Sequence, residues 1–518
     1  YYDQKRKGIF IMIYTPKKER LWDCWIVPYQ GQFYMFYLSL TPERIGKGGW
    51  DGISLAISDD LVHWTEYGRV LSKREEAVWI GTGMIQKIGD TFIMNFSEEY
   101  PVGYQRIYFA KSNDLLHWER TEHVCVPDGI NYMSEPNEMS DTCARWDSLG
   151  IVDALDDKGP PYYAFCTANA KQVNSINKNG GLGLLTSNDG LNWKCLPNAF
   201  PDPDMFPKLE VPEHICFQNR HYITFCTSSY LSHRFDKQAK DMSGGNYYVT
   251  SDNMLGPYRL PKGDYMLQGT RDNVSVSTVT VGRPLKVGNQ VFFYHLWGYN
   301  GPAGWVTTVK ILEEATPYQL RLRYNPINDC LKHTLLAQTA DVLPELTLVK
   351  NTGVIPPMKF VLDGKISFSS LGTSAALSAS PLSGCKHSES STDLRDGRFV
   401  TFDLSLYSGV GAGIFFHGQD DSMLCILMNR ERQRLEFGYL ISGWGPNMVI
   451  CDEICQEFRI QEKAKVKVLA RRCFLEVYID DIYVSSWRPE KNIDPNCFGF
   501  YFEDCTGEVD NLEIWQMG

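Results

Sequence analysis

The sequence lacks any window of 18 uninterrupted apolar residues, and its apolar stretch from Ile9 to Tyr14 is too short for a membrane span or a signal-peptide core. A membrane is therefore not an expected partner. Positive charge is in deficit, with 51 Lys and Arg against 62 Asp and Glu, so the net charge of -11 argues against nucleic acid as a partner. The 15 cysteines are odd in number and include no C-x-x-C pair. That excludes a zinc knuckle and an orderly disulfide framework, and points to buried free thiols in a reducing compartment. A cytoplasmic location is the expectation, with secretion as the alternative because the first residue is Tyr1 rather than Met. The ten histidines form no cluster at ligand spacing, and Gly48-Gly49 and Gly244-Gly245 lack the strand-Gly-helix context of a phosphate cradle. The expectation is no metal and no cofactor. Helical periodicity is nearly absent as well.

What is present is enough apolar material for large cores: 43% hydrophobic and 13% aromatic residues in 518, a length that argues for two domains. One repeat organises the first of them. Ser58-Asp59-Asp60-Leu61-Val62-His63-Trp64 returns as Ser112-Asn113-Asp114-Leu115-Leu116-His117-Trp118, then as Ser187-Asn188-Asp189-Gly190-Leu191-Asn192-Trp193, and faintly from Ser251 to Tyr258. The intervals of 54, 75 and 65 residues between the aromatic ends suit one supersecondary unit with variable loops. Before each copy stands an aromatic or β-branched run: Phe33–Tyr37, Thr91–Phe96, Tyr162–Cys166 and Tyr222–Phe225, with Val291–His295 a fifth. The pattern predicts an all-β chain whose residues 1–340 form a five-bladed β-propeller. His63 and His117, inside the repeat, read as blade-edge hydrogen bonders.

Pro344, Pro356 and Pro357 mark a linker over 341–365. Beyond it the period is two, as in Phe399–Leu404 and Phe474–Ile479, with Asp480-Asp481 at a hairpin turn. Residues 366–518 are expected to form a β-sandwich, and a homo-oligomer through that sandwich is one role open to it.

A propeller offers the innermost strand of every blade to one axis, so the informative residues are acids at the starts of those strands. Asp23 in Leu21–Val27, Asp147 in Ala144–Val152 and Glu210 in Leu209–Ile215 occupy that position in blades one, three and four. Convergent carboxylates raise one another's proton affinity, which keeps one acid protonated beside an ionised neighbour. Glycosidic hydrolysis uses that pairing, with carboxyl groups about 5–5.5 Å apart for retention. Trp22, Trp25, Trp50, Trp79 and Trp146 lie near the same strand starts, and flat apolar rings suit the C–H faces of a sugar. Tyr247, Arg283 and His295 are further candidates for the funnel wall.

Together these residues resemble glycoside hydrolase family 32, the β-fructofuranosidases, and more distantly family 43. The resemblance covers nearly the whole chain and implies a five-bladed propeller followed by a β-sandwich. Ser58–Trp64 is similar to the first-blade signature, and Trp79-Ile80-Gly81-Thr82-Gly83 to the aromatic-Ser-Gly-Ser segment of blade two. Arg145-Trp146-Asp147 resembles an altered Arg-Asp-Pro motif, which implies Asp147 as the stabiliser of the transition state. Glu210-Val211-Pro212 is similar to Glu-Cys-Pro, which implies Glu210 as general acid/base, with Glu213 the alternative three residues on. Asp23 matches the position of the nucleophile. Two departures stand out: Trp22-Asp23-Cys24-Trp25 replaces the Asn-Asp-Pro-Asn-Gly run, and Trp146 separates Arg145 from Asp147.

The resemblance thus implies a glycosidase that acts with retention at the ends of β-fructofuranosides, sucrose or short fructo-oligosaccharides. Its catalytic residues are Asp23, Asp147 and Glu210, and Trp22, Trp25, Trp50, Trp79, Arg145 and Glu213 bind substrate. Two alternatives remain at this point, an arabinofuranosidase-like hydrolase and a non-catalytic carbohydrate-binding protein. A disaccharide or oligosaccharide is the expected partner in all three.

Overall fold

The computed structural model describes residues 14–44, 49–101, 103–134, 145–154, 159–171, 180–200, 209–227, 245–262, 266–269, 279–297, 305–338, 346–348, 366–369, 374–379, 397–418, 423–441, 447–454, 463–472, 474–487 and 492–518. Almost all regular structure among them is strand. Two compact units are present, Tyr1–His233 with Lys240–Arg321, and Arg234–Ala239 with Leu322–Gly518.

In the first unit the period of the sequence becomes a period of sheets. Blade one is β1 (Arg20–Tyr29), β2 (Gln32–Leu40), β3 (Gly52–Ser58) and β4 (Thr65–Ser72), hydrogen-bonded in that order. Blade two repeats it with β5 (Trp79–Ile88), β6 (Thr91–Tyr100), β7 (Tyr104–Ser112) and β8 (Glu119–Cys125). Blade three has β9 (Trp146–Asp153), β10 (Tyr162–Asn169), β11 (Gly180–Ser187) and β12 (Trp193–Leu196), and blade four β13 (Glu210–Phe217), β14 (Arg220–Thr227), β15 (Gly245–Ser251) and β16 (Met266–Gly269). In the fifth, β17 (Val279–Val287) pairs with β18 (Gln290–Trp297), which pairs in turn with β19 (Trp305–Val306) and β20 (Lys310–Thr316), followed by β21 (Gln319–Tyr324). The aromatic runs picked out in the sequence are the second strands of the five blades. The innermost strands β1, β5, β9, β13 and β17 each touch the next, and β17 returns to β1. The ring is closed by Tyr294 on β18, whose hydroxyl oxygen accepts from the Ile26 amide at 3.0 Å.

The repeat is the turn that follows the third strand of a blade. In blade one Ser58 Oγ accepts from the Leu61 amide, and Asp60 Oδ1 accepts from the amides of Val62 and His63 at 2.8 and 2.7 Å. Asp114 and Asp189 do the same in blades two and three. The third central residue takes a left-handed conformation in each copy, φ 65° at Leu61 and Leu115 and 73° at Gly190. His63 and His117 hydrogen-bond to Asp60 and Asp114 through Nδ1, so both serve the turn. The copy at blade four keeps the Ser251–Asn253 contact and carries Gly256 at φ 88°.

In the second unit two long strands, Gly397–Gly418 and Ile493–Met517, pair antiparallel over most of their length. Period-two alternation puts Val400, Phe402, Leu404 and Leu406 of the first on one face, where Val466, Val468, Val477, Phe500 and Phe502 complete a dry core. This is the sandwich that the alternation predicts. Asp480 and Asp481 take φ of 51° and 63° at the hairpin between Phe474–Ile479 and Ile482–Trp487. The compact units divide within β21, earlier than residue 340, and Lys332–Gln338 pairs with the final strand of the second unit. Most of the expected linker lies outside the described residues. No disulfide is present among the described cysteines.

Candidate functional site

The entrances to the innermost strands of blades one to four enclose a cavity of about 340 Å³, lined by Trp22, Asp23, Trp50, Trp79, Gly81, Thr82, Arg145, Asp147, Glu210 and Val211, with Leu38 and Gly49. Seven of the nine site residues expected from the sequence line it. The other two, Trp25 and Glu213, do not.

A shared backbone irregularity explains both groups. Each innermost strand slips its register near its start: between Trp22 and Cys24 on β1, Ile80 and Gly83 on β5, Glu210 and Glu213 on β13, and Thr280 and Arg283 on β17. On β9 the slip lies opposite Phe165 and Thr167. Ser148, Val211 and Val281 carry φ of 53°, 54° and 50° at these bulges. A bulge re-aims side chains and breaks alternation. Glu213 thereby turns away from the cavity, 9% exposed, to a buried ion pair with Arg283, Nη2 to Oε1 2.6 Å. Glu210 lines the cavity with its side chain 36% exposed. Trp25 is buried against Phe36, with the rings stacked 6.3 Å apart. Of the further candidates, Tyr247, Arg283 and His295 are fully buried and none lines the cavity.

Trp146, the extra residue between Arg145 and Asp147, lies ahead of the slip on β9 and is placed by regular alternation instead. Alternation along β9 sends its indole outward, fully buried beside Tyr132 at 5.3 Å between centroids, while the residues on either side face the cavity. Arg145 therefore reaches two acids, Nη1 to Glu210 Oε1 at 2.6 Å and Nη2 to Asp147 Oδ2 at 3.5 Å.

The acids differ in their surroundings. Asp23 accepts from Thr82 Oγ1 through Oδ2, whereas its buried Oδ1 has no hydrogen-bond partner among the described residues. Burial pushes its carboxyl up to about 7, opposed by the Thr82 bond, raised further by Glu210 and Asp147 and lowered by Arg283. Asp147 is also raised by burial, against the pull of Arg145 and of Ser97, whose hydroxyl donates to Oδ1 at 2.6 Å. Gln105 supports Ser97 at 3.1 Å and accepts from the Trp146 amide at 3.2 Å. Glu99 sits across from Trp79 in the β5–β6 register and is hydrogen-bonded to it; burial raises its carboxyl too.

Thr82, Ser97, Glu99 and Gln105 are the residues that sequence reasoning missed. Thr82 stood inside the Trp79–Gly83 segment, but the others come from β6 and β7, whose part in the site follows only from pairing register. Trp22 and Trp50 stack at 6.0 Å and 9° as an aromatic wall.

No protein-family model and no curated protein matches the sequence. Solved structures do match the fold. A Bombyx mori GH32 beta-fructofuranosidase aligns with a TM-score of 0.65 at 14% identity, covering 98% of this chain and 93% of that one. Sucrose-6-phosphate hydrolase from Lactobacillus gasseri gives 0.65 at 15%, with the same coverage. An exo-inulinase from Aspergillus awamori gives 0.63 at 13%, over 100% and 99% of the two chains. The chain has the fold of family 32 enzymes. At such identity the likeness speaks for fold alone, and it runs through both the propeller and the sandwich.

Proposed function

We propose that the protein is a glycoside hydrolase of the family 32 type that removes terminal β-fructofuranosyl units from sucrose or short fructo-oligosaccharides with retention. The observation that carries this reading is the convergence of Asp23, Asp147 and Glu210, from three blades, on one cavity beside a stacked tryptophan pair. In the proposed reaction Asp23 attacks the anomeric carbon while Glu210 gives its proton to the departing oxygen. The bond to the leaving group breaks and a glycosyl ester forms on Asp23. Glu210 then takes a proton from water, which displaces the ester and regenerates Asp23. Asp147 and Arg145 hold ring hydroxyls throughout. A cavity of about 340 Å³ supports action at a chain end, since it lies near the lower bound of small-molecule clefts.

One observation favours a second reading. Arg145 ties Glu210 at 2.6 Å and Asp147 at 3.5 Å to one guanidinium, a fixed arrangement of the kind that a non-catalytic carbohydrate-binding protein would have. Product analysis separates the two. Wild-type and Asp23→Asn proteins are incubated with sucrose, β-2,1 and β-2,6 fructans and arabino-oligosaccharides, and sugar binding is measured by calorimetry. Fructose released by wild type alone, with affinity kept in the variant, is the expected result. Arabinose would replace the substrate, turnover by Asp23→Asn would remove the nucleophile, and binding without any turnover would establish the second reading.

A further inference from the structure

Beneath the cavity lies a fully buried guanidinium that the proposed reaction does not use. Arg283 follows the bulge of β17 and is 1% exposed. Its Nη1 donates to the carbonyl of Cys24 at 3.3 Å and to that of Gly83 at 2.9 Å, and its Nε donates to Glu213 Oε1 at 2.8 Å. These partners are not scattered. Cys24 is the residue after Asp23, Gly83 is the residue after the Thr82 that donates to Asp23, and Glu213 shares the bulge of β13 with Glu210. One planar, permanently charged group thus pins the backbone on both sides of the Asp23–Thr82 contact and links it to the strand of Glu210.

We propose that Arg283, held by Glu213, is a positioning residue for Asp23: by pinning the backbone at Cys24 and Gly83 it fixes the approach of the Asp23 carboxylate to the cavity. This rests on the reading of Asp23 as nucleophile. The groups that act on Asp23 are Thr82 from blade two, Asp147 from blade three, Glu210 from blade four and Arg283 from blade five, with the Cys24 thiol adjacent; Glu213 and the Tyr294 phenol act on Arg283. Among these only Arg283 and the Thr82 hydroxyl favour the carboxylate. Removing the guanidinium leaves the Thr82 hydroxyl alone to oppose burial and two like charges. Removing Glu213 leaves the guanidinium without its counter-charge, so its field at Asp23 strengthens. The two variants are therefore expected to move Asp23 in opposite directions, whereas loosened packing that admits water would lower its midpoint in both.

The test is infrared difference titration of the full-length protein labelled with ¹³C-aspartate, in which the Asp23 band is identified as the one lost in Asp23→Asn. In Arg283→Met the midpoint is expected to rise, and in Glu213→Gln to fall, each by more than the error of the titration. Arg283→Met/Glu213→Gln removes the pair without leaving a buried lone charge and serves where Arg283→Met fails to fold. It is also expected to raise the midpoint. Arg283→Lys should keep the midpoint near wild type while kcat on the released-sugar assay falls roughly 10–100-fold, since charge survives and geometry does not. An unmoved midpoint in Arg283→Met and in the double variant, or the same direction of movement in Arg283→Met and Glu213→Gln, overturns the proposal. The titration needs no turnover, so an inactive wild-type protein would reject the proposed reaction without touching this result.

Discussion

At the scale of single residues, Asp23 sets a conflict between stability and chemistry. Its carboxyl is raised from the ordinary range to about 7 chiefly by burial, so the folded chain holds a proton that the unfolded chain releases near pH 4. Between those values the folded state binds more protons, and stability falls as pH rises. Above pH 7 Asp23 is buried and charged, a cost on the order of a few kcal/mol. Asp23→Asn should therefore raise the denaturation midpoint at pH 8, with the gain vanishing near pH 4; equal stability at both pH values would contradict the account. The same titration bears on activity. A nucleophile must be ionised, so kcat/KM should climb with pH through about 7, and a profile flat from pH 5 to 8 would place the attacking group elsewhere. That Asp23, Asp147 and Glu210 meet at one cavity was legible in the sequence because each stands at the start of an innermost strand. The Glu-x-Pro spacing favours Glu210 over Glu213, but that Glu213 turns away from the cavity was not legible, because it depends on a bulge.

At the scale of elements, the bulged innermost strand is the device from which the site is made. Each bulge converts a strand that would alternate between neighbouring blades into one that turns a side chain to the axis. The residue types around it then have little freedom. A Cβ on Gly81 would lie 2.2 Å from Ser97 Oγ, 2.5 Å from the Trp79 ring and 3.3 Å from Asp147 Oδ1. Gly81→Ala should displace Ser97 from Asp147 and tilt Trp79, and so weaken hold on the sugar without removing any acid. Steady-state kinetics should show KM raised by about tenfold or more, with global stability lowered by about 1–3 kcal/mol from overpacking. Unchanged KM would mean that the Ser97–Asp147 contact does not serve binding. Repetition of aromatic runs and turn residues made the blades readable, since each is local in sequence. The bulges left only a weak trace, because Ser148, Val211 and Val281 are not residues that announce a positive φ. Trp25 was misplaced for that reason, and Trp146, which seemed an interruption, is accommodated by ordinary alternation.

At the scale of the molecule, a propeller is a ring of like units whose first and last members have no covalent reason to meet, so closure must be carried by side chains and strand contacts. The sequence predicts five units from period and strand count, but it gives no sign of how β17 and β18 are joined to β1, since 250 residues or more separate the partners. The structure joins them through Arg283 to Cys24 and through Tyr294 to Ile26, both buried. Tyr294→Phe keeps the ring and deletes only the oxygen, so it leaves the Ile26 amide without that acceptor in a dry environment, at a cost of about 1–3 kcal/mol. Tyr258→Phe is the matched comparison. That hydroxyl is equally buried but donates at 2.7 Å to the carbonyl of Met254, four residues away, inside one blade's turn. If closure is a global property of the ring, chemical denaturation should give Tyr294→Phe a lower midpoint than Tyr258→Phe, and hydrogen exchange should quicken on β1 and β18 together. Exchange that quickens on β18 alone would mean that the first blade is held in place by its apolar packing and that the hydroxyl adds only a local bond.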